Sequence, residues 1–577
     1  MLDMKILLRY QCWLNYFQRG NESQAKRELY KELKHMKDKP KRIEEAFYKE
    51  VTFGTGGIRG IMGAGCNRIN ICTIAKATQG VADYIRKQYP QSKWRAVVSY
   101  DSRIHSELFA QITCEVFAAN EITALIFPQL MPTPCLSFAI RETKCVAGVM
   151  ITASHNASSY NGYKVYNEEG CQITDSAANM IAGEIDKLDI FRDVHKMQWE
   201  EGIRVNRICY LPETIEMLYL KQVKAQTLIE KSMQVDRSVA IVYSPLNGTG
   251  MEPVTRLLRE VGYDHVTVVE EQRNPDGHFP TCPYPNPESR EAMELAITYA
   301  KREQADLVLA TDPDCDRVGI AVRSMSGEYV LLSGNETGIL LLDYICFMRL
   351  SQNRMPRKPV MMKSIVTTNL AEVIAASYGV ESRNVLTGFK YIGEQIGRLE
   401  QEGRENSFLF GFEESYGYLT GSYVRDKDGV LGVYLISEMY TYYKAIGKSL
   451  IEVLQELYQK YGFFHEVQHS YELEGRQGQE QMKQIMNAFR QGRISLGNQE
   501  VVSTIDYQKE QRGFIPANMI RYGLSDKSTI VIRPSGTEPK LKIYLSICSK
   551  DLQQAKVKEQ EIMDSLFEVI RMNITNN

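Results

Sequence analysis

Short apolar runs that end in polar turns, separated by stretches of helical period, recur three times along this chain, and no other feature restricts its fold as tightly. RAVVSYDS (95–102), ALIFPQL (124–130) and AGVMITAS (147–154) form a first set, with SELFAQITCEVFAA (106–119) carrying apolar residues at helical spacing between the first two. SVAIVYSPLNGTG (238–250), HVTVVEE (265–271) and ADLVLATDPD (305–314) form a second; PVMMKSIVTT (359–368) and SFLFGFEES (407–415) belong to a third. Alternation of this kind builds α/β units. In open sheets of that class ligands sit in the loops after the C-terminal ends of the strands, so chemistry is sought there.

The flanks differ. Residues 1–45 are rich in Lys, Glu, Arg and Leu, and NESQAKRELYKELKHM (21–36) offers Asn21 or Ser23 as a helix cap. From about 455 a long charged stretch (475–493) precedes two strand-like runs in STIVIRPSGTEPKLKIYLSI (528–547) and a helical tail, the pattern of a separate α+β domain. At 577 residues there is room for several cores. The expected fold is α/β: three tandem α/β domains with mixed sheets plus a C-terminal α+β domain, arranged around a central cleft. The boundaries fall at 1–45 for a helical extension, then 46–205, 206–324, 325–454 and 455–577.

Lys plus Arg number 69 against 71 Asp plus Glu, a balance that does not hold a protein to nucleic acid by bulk charge. The most apolar stretch, ILLLDYICFM (339–348), is too short for a membrane span and is interrupted by Asp343. MLDMKILLRY at the start places charges inside its apolar stretch, unlike a secretory signal, so a cytoplasmic protein with reduced thiols is expected. The twelve cysteines include no C-x-x-C pair and the histidines no H-E-x-x-H, which removes the zinc-ribbon and zincin readings.

Five loops hold residues suited to chemistry. Thr152-Ala153-Ser154-His155-Asn156, followed by Asn161-Gly162-Tyr163-Lys164, delivers Ser154 from a strand onto a turn expected to leave its hydroxyl exposed among donors; a surface turn has the same look. Asp312-Pro313-Asp314-Cys315-Asp316-Arg317 sets carboxylates at i, i+2 and i+4, which in extended backbone project to one side and suit a hard divalent cation. An EF-hand fails there, because Arg317 and Arg323 stand where Gly and Glu are needed. Arg533-Pro534-Ser535-Gly536-Thr537 combines a planar fork of donors, two hydroxyls and a glycine, as a phosphate dianion requires; a hairpin loop is the alternative. Gly411-Phe412-Glu413-Glu414-Ser415 ends a buried strand with carboxylates able to accept from vicinal sugar hydroxyls, or to cap a helix. Gly54-Thr55-Gly56-Gly57-Ile58-Arg59-Gly60 fails as a dinucleotide fingerprint at Arg59.

Together a serine, a three-Asp cation site, a sugar-like acidic loop and a phosphate clamp, one per domain and in that order, point to phosphoryl transfer on a sugar. Over nearly its whole length the chain resembles the α-D-phosphohexomutase superfamily, in its long phosphoglucomutase/phosphopentomutase branch. The resemblance implies that Ser154 carries the phosphoryl group and that Asp312, Asp314 and Asp316 bind Mg²⁺ with a phosphoserine oxygen. Lys164 and Lys427 match acid/base lysines, His155 and Arg59 lie in matching catalytic loops, and Arg317, Thr387, Gly388, Lys390, Glu413 and Ser415 match sugar contacts. Arg533, Ser535, Gly536 and Thr537 match the phosphate clamp. A sugar hydroxyl is expected to attack phospho-Ser154, with Lys164 or Lys427 taking its proton where cationic surroundings lower that lysine's pKa.

The implied reaction moves phosphate between C1 and C6 of glucose through a sugar 1,6-bisphosphate that also serves as activator. A pentose or mannose phosphate mutase, or a bisphosphate synthase, fits the same loops. The partner is a phosphosugar, without nucleic acid or membrane, and the chain is expected to act as a monomer. Ala157 stands where the family has Pro, which predicts a looser serine loop, and Cys315 where it has Ala, which predicts a thiol open to oxidation on the far side of the metal ligands.

Overall fold

The structure, a computed structural model, describes residues 3–574 apart from 21–22, 91–92, 231–232, 234, 474, 492–495, 497–498, 510–515 and 536–539. The chain forms two compact units, one of Met1–Leu331 with Gly393–Glu405 and Gly417–Thr441, the other of Leu332–Ile392 with Asn406–Tyr416 and Tyr442–Asn577.

The first unit holds two sheets. One contains β1 (Gly57–Ile61), β2 (Arg95–Tyr100), β3 (Thr123–Ile126), β4 (Ala147–Ile151), β5 (Tyr160–Asn167) and β6 (Ile208–Tyr210), in the order β1-β5-β4-β2-β3-β6. β4, β2, β3 and β6 run parallel to one another, and β5 is antiparallel to both β4 and β1. Ala96–Tyr100 and Ala147–Ile151 are buried at every position, and strands covered on both faces read as unbroken apolar runs. Helices Met4–Arg19, Gln24–Met36 and Pro40–Phe47 account for the helical start, and Ser23 caps the second, accepting from the Lys26 N–H at 3.3 Å; Asn21 lies outside the described residues. Their Tyr10, Trp13, Phe17, Leu33 and Phe47 share one core with Ile58, Val98 and Val149 of the sheet. Burying an aromatic such as Phe17 contributes roughly 1.5–3 kcal/mol, so these helices are anchored in the core of this sheet.

The second sheet contains β7 (Ile241–Ser244), β8 (Val266–Val268), β9 (Leu307–Thr311), β10 (Val318–Arg323) and β11 (Tyr329–Leu332), in the order β11-β10-β9-β7-β8. β7 is parallel to β8 and β9, whereas β10 returns antiparallel to β9 with Val318 opposite Thr311. That return encloses Asp312–Arg317 in one tight connection.

In the second unit β12 (Val360–Ser364) lies between β13 (Glu381–Val385) and β14 (Phe408–Glu413), parallel to both. The run ILLLDYICFM forms part of the helix Gly334–Ser351, with Leu340, Leu341, Leu342 and Ile345 fully buried and Asp343 accepting from the Tyr378 hydroxyl at 2.9 Å. Among the described residues no helix is long and apolar enough to cross a membrane. After β15 (Gly417–Leu419), where the chain has re-entered the first unit, come β16 (Phe463–Glu472), β17 (Val501–Asp506), β18 (Ile520–Leu524), β19 (Thr529–Pro534) and β20 (Lys540–Ser549). They form a wholly antiparallel sheet in the order β16-β20-β19-β18-β17, sharing a core with helices Gly475–Gln491 and Leu552–Ile574 through Phe489, Ile532, Ile543 and Leu566. The α+β character expected of this region holds, with three more strands than its apolar runs announce.

Candidate active site

The loop joining β4 to β5 carries Ser154. Its φ is 52°, a left-handed conformation that costs an L-residue roughly 1–2 kcal/mol, so it must be held from outside. Its N–H donates to Thr152 Oγ1 at 2.7 Å, and its carbonyl accepts from Arg103 Nη2 at 2.6 Å. Gly162 in β5 packs so closely that a Cβ there would stand 2.5 Å from the Thr152 carbonyl oxygen and 2.7 Å from that of Ile58. The hydroxyl differs from expectation: Ser154 is 2% exposed, with Oγ donating to Asp312 Oδ2 at 2.7 Å and His155 Nδ1 3.2 Å away. Arg59, in β1, donates from Nη1 to Asn156 Oδ1 at 2.9 Å, while Lys164 lies opposite Gly57 of β1 and Met150 of β4.

The acidic loop also departs from the extended form expected of it. It turns, with Cys315 at φ 52° and the Cys315 N–H donating to the Asp312 carbonyl at 2.8 Å. Asp312 Oδ1 accepts the N–H groups of Asp316 and Arg317, both at 3.1 Å. Convergence of the carboxylates therefore comes from the turn and not from strand alternation. Thr133 donates its N–H to the Asp314 carbonyl at 2.9 Å and its hydroxyl to Asp314 Oδ2 at 3.0 Å. The Cys315 thiol is fully buried, and burial pushes it well above its ordinary pKa, so it is an inert neutral group instead of the oxidation-prone one expected. In the serine loop the Ala157 carbonyl accepts from Arg103 Nη1 at 2.8 Å.

Among the described residues, Asp312, Asp314 and Asp316 are the only group of three or more His, Cys, Asp or Glu side chains whose ligating atoms lie within 4.8 Å of one another. All three are at most 1% exposed. Lys164 Nζ stands 2.7 Å from Asp314 Oδ2 and 3.5 Å from Asp316 Oδ2, and Lys427 Nζ 2.8 Å from Asp316 Oδ2. Burial, then repulsion from Asp314 and Asp316, drives the Asp312 carboxyl well above the usual range; burial acts on Asp314 too, but Lys164 outweighs it and keeps that group ionised. Burial also disfavours the Lys164 ammonium, yet Asp314 and Asp316 outweigh this and raise its pKa above 10.5. The expectation that cationic surroundings lower it is thus corrected: the nearest charges are carboxylates. Burial, then Arg317 and Arg59, holds His155 well below 6.5, so its ring is neutral. Arg317 itself pairs with Glu288.

The donor set fits a hard divalent cation. Asp314 Oδ1 and Asp316 Oδ1 are buried and accept no hydrogen bond, which such groups rarely tolerate unless another ligand engages them.

In the second unit, Glu413 ends β14, is 4% exposed, and accepts the Gly388 N–H on Oε1 at 2.8 Å, bringing together two loops read separately in the sequence. Lys390 lies nearly buried with Nζ 4.9 Å from the centre of the Tyr391 ring, and Thr387 Oγ1 is buried without a hydrogen-bond partner. The neighbouring Glu414 is taken up internally, accepting from Ser364 and Thr367 at 3.0 and 2.9 Å, while Ser415 is half-buried. In the same unit Arg533 is the penultimate residue of β19, donating from Nε to the Pro534 carbonyl at 3.3 Å, and the Ser535 N–H donates to the Lys540 carbonyl at 2.8 Å. Gly536 and Thr537 lie outside the described residues.

Three family profiles match in succession: phosphoglucomutase/phosphomannomutase alpha/beta/alpha domain I over 50–190, domain II over 217–327 and domain III over 333–461. The chain is 35% identical over 543 residues to a phosphoglucomutase of Staphylococcus aureus (strain MRSA252), covering 91% of this chain and 95% of that one. This chain belongs to the phosphoglucomutase/phosphomannomutase family. It is a phosphohexomutase, an isomerase of the α-D-phosphohexomutase superfamily. Its fold matches the open form of pp63/parafusin from Paramecium with a TM-score of 0.68 at 16% identity, over 92% of this chain and 96% of that one. It also matches Aspergillus fumigatus N-acetylphosphoglucosamine mutase, solved with GlcNAc-6P and magnesium, with a TM-score of 0.50 at 13% identity over 90% and 96%. The family and the buried triad together support a metal cofactor for this phosphohexomutase.

Asp101, Arg103 and Thr133 escaped the sequence reading, and Thr152 was read only as the start of the serine motif. The first two follow β2 directly, so the strand-end rule that found Ser154 and Asp312 would have found them in SYDSR as well.

Proposed function

We propose that this phosphohexomutase interconverts glucose 1-phosphate and glucose 6-phosphate in the cytoplasm as a monomer, with Ser154 as phosphoryl carrier. One observation carries the reading: Ser154 Oγ lies 2.7 Å from a buried carboxylate triad that also holds Lys164 and Lys427. A nucleophile, a cation site and two proton carriers thereby meet. The name phosphoglucomutase on the 35% identical relative supports glucose as the sugar.

The sugar's free hydroxyl attacks the phosphorus of phospho-Ser154; a new O–P bond forms as the Ser154 Oγ–P bond breaks, giving the 1,6-bisphosphate. Asp312, Asp314 and Asp316 would hold Mg²⁺ with a phosphoserine oxygen, and the ion when bound supplies charge neutralisation on the transferring group. Lys164 begins as an ammonium ion on the triad and is therefore set to donate a proton to a departing oxygen. It, or Lys427, accepts the proton of the attacking hydroxyl only when its hold on Asp314 or Asp316 is released. Neutral His155 hydrogen-bonds at the serine oxygen, and Arg59 and Arg317 add positive charge for the phosphoryl group.

Thr387, Gly388, Lys390, Glu413 and Ser415 would engage the sugar, and Arg533, Ser535, Gly536 and Thr537 the phosphate that is not in transfer. The bisphosphate then turns end for end and returns its other phosphate to Ser154, so glucose 1,6-bisphosphate acts as an activator. In this scheme 46–205 is the phosphoserine domain, 206–324 the metal domain, 325–454 the sugar domain and 455–577 the phosphate domain.

Initial rates on glucose 1-phosphate, mannose 1-phosphate and ribose 1-phosphate, with Mg²⁺ and a trace of glucose 1,6-bisphosphate, test the reading beside Ser154→Ala. A dominant glucose rate that Ser154→Ala abolishes is expected. A dominant mannose or ribose rate would reassign the sugar, net bisphosphate accumulation would favour a synthase, and turnover by Ser154→Ala would refute the carrier.

A further inference from the structure

Behind the serine loop lies a buried ion pair that the scheme above leaves unused. Asp101 and Arg103, 1% and 3% exposed, follow β2, with Arg103 Nε 3.3 Å from Asp101 Oδ2. The guanidinium donates to the carbonyls of Ser154 at 2.6 Å, Ala157 at 2.8 Å and Asn156 in the serine loop, and of Tyr160 at the start of β5 at 3.0 Å. Asp101 Oδ2 accepts the Thr152 hydroxyl at 2.6 Å, and Oδ1 accepts the Ser106 hydroxyl at 2.7 Å and the Arg103 N–H at 3.0 Å. Thr152 Oγ1 in turn accepts the Ser154 N–H at 2.7 Å. Both peptide groups of the serine are thus tied to one carboxylate, the N–H through Thr152 and the carbonyl through Arg103. The Phe279 ring, from the loop after the helix Glu270–Arg273, places its centre 5.0 Å from the guanidinium.

A left-handed serine persists only where its surroundings over-determine it, and here both backbone anchors of Ser154 lead to Asp101. We propose that Asp101 and Arg103 are a positioning pair that fixes Ser154 for phosphoryl transfer. They act through Ser154 and touch neither sugar nor phosphate, so their loss slows transfer without weakening substrate binding. The planar fork serves four acceptors at once, whereas a lysine ammonium has three donors on a shorter reach and would replace it only in part. This proposal rests on Ser154 being the carrier.

The test compares Arg103→Met, Arg103→Lys, Thr152→Val and Ser154→Ala in the full chain. It reads kcat and KM for glucose 1-phosphate, phosphate on Ser154 by intact mass, the lifetime of that phosphoserine without substrate, and melting temperature. Arg103→Met should lose about 100-fold in kcat, the usual scale for a displaced reacting group, with KM held within about 3-fold and a shortened phosphoserine lifetime. Arg103→Lys should recover part of the rate. A merely structural role predicts a loss that follows the folded fraction, with phosphoserine lifetime and KM unchanged; that result overturns the proposal, as does wild-type kcat in folded Arg103→Met. Should Arg103→Met not fold, Thr152→Val removes the anchor on the Ser154 N–H and leaves the ion pair, and an unchanged kcat there overturns it equally. Activity in Ser154→Ala would instead sink the carrier reading, whereas an inactive Ser154→Ala beside a normal Arg103→Met sinks this inference alone.

Discussion

Gly162→Ala is a single-methyl change that tests whether the serine loop and Lys164 must keep their spacing. The added Cβ would meet the Thr152 carbonyl oxygen at 2.5 Å and the Ile58 carbonyl oxygen at 2.7 Å, where real Cβ contacts essentially never fall below 3.0 Å. Both obstacles are backbone atoms and cannot rotate aside, so the chain must open by about half an ångström on the serine side. The same residue's carbonyl accepts the Thr152 N–H at 3.2 Å, and Lys164 lies two residues further along β5, so the opening separates Ser154 from the lysine. Overpacking of this size costs about 1–3 kcal/mol. Misplacement of a reacting group by a fraction of an ångström is expected to cost about 10- to 100-fold in kcat. A coupled assay for glucose 6-phosphate formation and a melting curve measure the two effects. If the variant keeps both wild-type turnover and wild-type melting, the close approach at Gly162 has no bearing on catalysis and the reasoning fails.

Asp314→Asn removes a charge from the triad and frees Lys164 from its 2.7 Å partner, so the Mg²⁺ concentration for half-maximal activity should rise at least about 10-fold; an unchanged Mg²⁺ titration would make the triad structural. Glu466 in β16 accepts the Ser546 hydroxyl at 2.8 Å, and burial raises its carboxyl from 4.5 to about 7. Because the folded state holds this proton more tightly than the unfolded one, the associated stability is present below pH 4.5 and is lost as pH rises through about 7. Melting temperature measured across that interval should fall in the wild type and fall less in Glu466→Gln; equal slopes would contradict the assignment.

The strands that were readable from sequence are those buried on both faces. RAVVSY, AGVMI, LVLAT and VMMKS have no solvent side to interrupt them, and each proves to be a strand ending in a loop that carries polar residues. β16 gives no such signal: FFHEVQHSYE alternates partly buried and exposed positions with only Phe464 fully buried, and its place is set by ten residues of pairing with β20, far away in sequence. β5 and β10 were missed for a related reason. Each pairs antiparallel beside the strand it follows, so the strand-end loop becomes a short connection between two paired strands.

The same distinction between local and distant information runs through the site. Ser154 and the three aspartates stand out because their loops are short and chemically dense, but the local reason for the carboxylates' convergence is incorrect. Alternation in extended backbone would suffice for carboxylates on one side; the chain instead uses a left-handed Cys315 and donors from Thr133. The charge state of Lys164 was misjudged because the residues that set it, Asp314 and Asp316, lie 150 and 152 positions away. With those carboxylates at hydrogen-bond distance, a lysine expected to be a ready base is held as an acid. Under the proposed mechanism, therefore, Lys164 would serve as a base only once its hold on Asp314 and Asp316 is released.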